Sequence, residues 1–103
     1  MENVKVEQFY AANQFVIWGN GATYLQSYSS LVVKITGNSY ANETITLGRD
    51  WDYSTTTSKY VYLFLEEYTN INFYGISNKR QYVRKLIKEG KIIYDENMRW
   101  FYE

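Results

Sequence analysis

The stretch that decides the fold is Trp51-Asp52-Tyr53-Ser54-Thr55-Thr56-Thr57-Ser58-Lys59-Tyr60. Aromatic and acidic residues give way here to a run of hydroxyls, after which apolar residues recur at helical spacing. Ser54 is a good N-cap, because its hydroxyl can accept a bond from an orphan amide of the first turn. From it we expect a helix over 55–68, with Tyr60, Val61, Phe64, Leu65 and Tyr68 on one face and Lys59, Glu66 and Glu67 outside. Three successive threonines are poor helix formers, so this helix depends on its cap and its packed face. The stretch reads as a structural joint: Asp52 accepts amide bonds from the turn or the incoming helix, and Trp51 and Tyr53 anchor the joint to the core.

Upstream of the joint the pattern has period two. Val4, Val6 and Phe9 alternate with Lys5 and Glu7 as a short strand, and Gln14–Trp18 reads as a second. Gly19-Asn20-Gly21 tolerates positive φ at several positions and marks a tight hairpin into a third strand, 23–28. The β-branched run 31–36 makes a fourth strand, Gly37-Asn38 a turn, and 44–47 a fifth, with Gly48 allowing a bend before the joint.

Downstream, residues 70–75 form a link and Ser77 caps a second helix over 78–89. Its apolar face is Tyr82, Val83, Leu86 and Ile87, and Gly90 stands at the left-handed position after its end. Residues 91–94 make a last strand. The expectation is one α+β domain over 1–103: an antiparallel sheet of about five or six short strands with two helices packed on one face.

Composition narrows the chemistry. The chain has 103 residues, enough for one domain, and 46% hydrophobic content supports a core rather than disorder. It contains neither cysteine nor histidine. That excludes disulfides, Cys/His zinc sites, histidine triads and thiol nucleophiles. Asp50 and Asp52, with Asp95 and Glu96 further on, could hold a hard cation or do acid–base work. Nothing beside them completes such a site, so we expect no enzyme, no cofactor and no metal. Gly19 and Gly21 are not a nucleotide loop, since no helix follows them. The alternating polar N-terminus is no signal peptide, and no run approaches a membrane span, so a cytoplasmic protein is expected.

Two constellations remain as working surfaces. Net charge is zero, yet Lys79, Arg80, Arg84, Lys85, Lys88 and Lys91 oppose only Glu89 within 79–91. Such a face can meet an acidic protein patch or phosphates, pair with the acidic remainder of the chain, or simply be solvated. The tail Arg99-Trp100-Phe101-Tyr102 carries residue types that dominate interface hot spots; it either folds back as core or docks on a partner, a second copy of the chain included. Twelve tyrosines leave room for base stacking on a sheet surface, though no RNP-type motif accompanies them.

The segments Tyr24-Leu25-Gln26-Ser27-Tyr28-Ser29-Ser30-Leu31-Val32 and Trp51–Tyr60, followed by Phe64-Leu65, resemble a group of small uncharacterised proteins. These are encoded by phages, prophages and mobile elements of low-GC Gram-positive bacteria, and the match covers roughly residues 13–65. The abundance of Asn, Tyr, Ile and Lys without proline fits an AT-rich genome of that kind. The resemblance implies a protein that inhibits a host defence protein by binding it, as anti-CRISPR proteins occlude a Cas nuclease or its nucleic-acid complex. On that view Lys79, Arg80, Arg84, Lys85, Lys88, Lys91, Arg99, Trp100 and Tyr102 form the partner-binding surface. The alternative is a nucleic-acid-binding accessory protein using the same basic helix.

Overall fold

A computed structural model describes residues 4–37 and 43–98. Six strands and two helices follow one another: β1 (Lys5–Phe9), β2 (Ala11–Gly19), β3 (Ala22–Ser27), β4 (Ser30–Thr36), β5 (Thr44–Leu47), α1 (Thr55–Tyr68), α2 (Lys79–Lys88) and β6 (Ile93–Tyr94). The strands form one sheet in sequence order, antiparallel from β1 to β5. This is the α+β architecture expected.

Local chemistry explains the connections. The β2–β3 hairpin turns on Asn20 and Gly21 at φ 53° and 78°, the two positive values that a two-residue turn matched to strand twist requires. Ala22 pairs with Gly19 directly across it. The β3–β4 connection uses Tyr28 at φ 56°, an uncommon conformation for a bulky residue. Its amide donates to the Asn13 carbonyl at 2.6 Å. A register shift at Leu25/Gln26 lets both Val32 and Val33 face the core, since an added residue restores the side-chain phase.

Pairing of β6 with β5 is parallel, Thr46 against Ile93 and Leu47 against Tyr94, which corrects the all-antiparallel expectation. The chain leaves β5, passes through both helices and returns in the same direction, a crossover connection that produces parallel neighbours. This strand is only two residues long, shorter than the 91–94 run read from the sequence.

The core lies between the sheet and the helices. Val16, Leu25, Val33, Ile45 and Leu47 from the sheet meet Val61, Phe64 and Leu65 of α1 and Val83 and Leu86 of α2 in one cluster. Each fully buried side chain of this kind contributes roughly 1.5–3 kcal/mol. On the reverse face Ile17, Ala22 and Tyr24 form a smaller cluster with Leu31 against it. Aromatic edges extend the main core: Phe9 meets Phe64 at 5.8 Å, and Phe64 meets Tyr68 at 4.8 Å.

The joint before α1 is built as expected at two positions and differently at two others. Trp51 is buried in the core cluster, and the Ser54 hydroxyl accepts from the Thr57 amide at 3.1 Å. Tyr53, by contrast, is 81% exposed: it lies in a turn, where strand alternation no longer dictates which residues point inward. Among the described residues Asp52 reaches Arg80 and Arg84 of α2 rather than the turn amides. Gly48 serves close approach, since a Cβ there would stand 2.5 Å from the Leu31 carbonyl oxygen.

Candidate functional site

Helix α2 begins one residue later than the sequence suggested. Asn78, not Ser77, is its N-cap, and its side chain accepts from the Gln81 amide at 3.0 Å. Only Val83 and Leu86 are buried, while Tyr82 and Ile87 pack at the margin of the core. The helix closes on Gly90 at φ 80°. The Lys91 amide donates to the Leu86 carbonyl at 2.9 Å and the Gly90 amide to Ile87 at 3.0 Å, the paired bonds of a Schellman closure. Residues Lys79, Arg80, Gln81, Arg84, Lys85 and Lys88 therefore stay outward, all exposed.

These cations are not equivalent. Arg84 donates to the Asp52 carboxylate at 3.1 Å. Arg80 places Nε 3.7 Å from the same oxygen and donates to the Asp52 carbonyl at 3.3 Å. One acid thus ties two arginines of α2 to the joint before α1, and part of the basic face is spent on intramolecular pairing. Lys79 stands over the rings of Tyr62 and Phe73, 5.9 Å from each centroid, a cation–π arrangement. Burial raises the Tyr62 phenol above its ordinary pKa. Lys91 pairs with Glu89 at 3.5 Å.

Lys85 and Lys88 are left. Among the described residues neither has an ion pair. Both lie in the last turn of α2, where positive charge also favours the negative end of the helix. With Arg84 they rim a groove of about 660 Å³. Ile76 and Tyr82 contribute its apolar surface, and Gln81 and Asn78 line it as well. Sequence reading missed Ile76, which fell between the link at 70–75 and the cap; its one signal was an isolated apolar residue next to a helix start. Exposed Tyr74 adjoins in sequence, 93% accessible.

This arrangement offers charge and a partly apolar floor, a combination suited to binding. No group of three or more acidic side chains that could hold a metal occurs among the described residues. Asp50 accepts from Ser30 at 2.8 Å and lies 3.7 Å from Arg49. Asp52 is held by arginines, so these two acids face different neighbours. Asp95 accepts from the Asn97 amide at 2.9 Å and organises a surface turn. No described helix is long and apolar enough to cross a membrane. Arg99, Trp100 and Tyr102 lie outside the described residues.

A family model described as "Family of unknown function (DUF8033)" matches residues 3–84. That range contains both motif segments and the first six residues of α2. No curated protein and no solved structure matches the chain.

Proposed function

We propose that this chain, which belongs to the family of unknown function DUF8033, is a non-enzymatic binding protein whose outer α2 face docks on an acidic protein surface. The observation that carries this reading is the groove beside α2, where Lys85 and Lys88 have no ion pair among the described residues and Ile76 and Tyr82 supply an apolar floor. Charge without apolar area suits a phosphate backbone. Charge around an apolar floor suits a protein interface, where buried contacts hold and rim charges steer. Arg80 and Arg84 pair with Asp52, so the unneutralised charge beside the groove rests on Lys85 and Lys88.

The resemblance of the two motif segments to phage and mobile-element proteins extends the proposal to its biological class. In that version the chain inhibits a host defence protein, a Cas nuclease being the concrete candidate, and acts by occlusion. Docking of α2 covers a surface the nuclease needs for nucleic-acid loading or movement. The test is to mix the purified protein with Cas nucleases of low-GC Gram-positive bacteria and to follow complex formation and target cleavage. Stable complex and lost cleavage support the inhibitor reading; neither complex nor lost cleavage with any of them removes it. A gel-shift series with DNA and RNA across salt separates the alternative, since phosphate binding weakens steeply with salt.

A further inference from the structure

The two motif segments, distant in sequence, meet in space and enclose a second site. Ser27–Ser30 of the β3–β4 connection and Asp50, Tyr53, Ser54, Thr56 and Thr57 of the joint line one cleft of about 560 Å³, within the ~300–1,000 Å³ range of small-molecule sites. We propose that this cleft binds a neutral saccharide.

Its chemistry carries the assignment. Ser29, Ser30, Ser54 and Thr56 line the cleft; the hydroxyls of Ser29 and Thr56 can donate and accept, as sugar hydroxyls do, while those of Ser30 and Ser54 already donate to Asp50 and Thr57 and offer acceptor capacity. Deeper in, the Thr57 hydroxyl lies 3.0 Å from that of Ser27 and 3.3 Å from that of Ser54. This hydroxyl chain joins β3 to the first turn of α1, so the polar wall is anchored on regular structure at both ends. Asp50 supplies a carboxylate that Ser30 orients at 2.8 Å; ionised, it accepts from several hydroxyls at once. Tyr28 and Tyr53 complete the lining, 54% and 81% exposed. Exposed rings beside a polar cleft give flat apolar faces on which the C–H face of a pyranose can rest, while their hydroxyls stay wet.

Other ligand classes fit less well. Among the described residues no basic side chain lines the cleft and Asp50 does, which disfavours phosphates and acidic peptides. Asp50 already has Arg49 at 3.7 Å, which weakens its pull on cations. A neutral, hydroxyl-rich molecule with an apolar face matches what remains. This site is separate from α2: no residue lining the α2 groove lines the cleft.

The test is an amide-resolved NMR titration of the full chain with maltotriose, chitotriose, mannotriose and lactose, and separately with inorganic phosphate, each to about 10 mM, where even millimolar affinity registers. The expected result is saturable shifts at residues 27–30 and 50–57 with at least one saccharide and not with phosphate. Tyr53→Ala should weaken that binding about five- to ten-fold, the worth of one aromatic contact. Tyr28→Gly, which keeps the left-handed backbone free of strain, should do likewise. Lys85→Glu with Lys88→Glu should leave it unchanged, so loss of the α2 reading and loss of this one are distinguishable. Silence with all four sugars, or phosphate shifting these residues in their place, overturns the assignment.

Discussion

Replacing Asp52 by Asn removes the charge that Arg80 and Arg84 share while keeping the side chain's shape. The magnitude follows from the geometry. At 3.1 Å the Asp52–Arg84 pair would gain about 1.3 kcal/mol by Coulomb's law in bulk water and about 5 kcal/mol at an effective dielectric of 20. The Arg84 side chain is 64% exposed and that of Asp52 22%, so most of the larger figure is lost to solvent screening and side-chain ordering. Exposed pairs measure 0.2–1 kcal/mol; with a second arginine on the same carboxylate, about 1 kcal/mol is expected for Asp52→Asn. The assay is a double-mutant cycle of Asp52→Asn and Arg84→Gln in urea unfolding, run at low and at high salt. We expect a coupling of about 0.5–1 kcal/mol that shrinks as salt rises. Zero coupling at low salt would mean an absent pair, and a salt-independent coupling above about 3 kcal/mol a fully desolvated one; either contradicts a partly exposed Asp52–Arg84 bridge.

Three further perturbations test other parts of the fold. Phe64→Ala deletes a ring with no exposed surface from the meeting point of Phe9 and Tyr68; a loss of about 3–5 kcal/mol is expected in denaturant unfolding. Gly48→Ala brings a Cβ to 2.5 Å from the Leu31 carbonyl oxygen and 3.0 Å from Met98 Cε. Since a backbone carbonyl cannot step aside cheaply, a loss of about 1–3 kcal/mol should appear as a lowered Tm. Tyr10 donates to Glu67 at 2.6 Å, and that bond, followed by the charge of Glu67, raises the phenol's pKa above its ordinary value of 10.0. A raised folded-state pKa means that the contribution is complete below the unfolded value and is lost as pH rises through the folded one. Tyr10→Phe should therefore narrow its stability deficit only on the alkaline side of pH 10, followed by thermal melts across pH; a deficit that closes between pH 6 and 8 would contradict this.

Elements governed by local rules were legible in the sequence. The bounds of α1 follow from the Ser54 cap and a sustained helical period, and the β2–β3 hairpin from Asn20-Gly21. What escaped depended on distance or on unusual backbone. Asp52 and Arg84 stand 32 positions apart, and no period links them, so the sequence alone points the acid at nearby amides. It also points Tyr53 inward because aromatic rings usually are buried, a rule that fails in a turn between Asp52 and Ser54. Tyr28 at positive φ has no sequence signal, since bulky residues rarely occupy that region. The parallel pairing of β6 depends on the path of both helices, which short strand segments do not encode. The basic segment is legible in the sequence, but its division into arginines tied by Asp52 and lysines without an ion pair among the described residues needs three dimensions.

The claim that the outer face of α2 is the working surface is tested most directly by one comparison. Under the proposed inhibition of a Cas nuclease, complex formation and cleavage are compared for the wild-type protein and the double variant Lys85→Glu/Lys88→Glu, with folding verified by its unfolding curve. Both side chains are exposed and neither has an ion pair among the described residues, so the stability cost is that of two reversed charges at the helix end, about 1–2 kcal/mol. The folded variant is expected to lose complex formation and to restore cleavage. Undiminished inhibition by that variant would contradict this expectation and move the working surface away from α2.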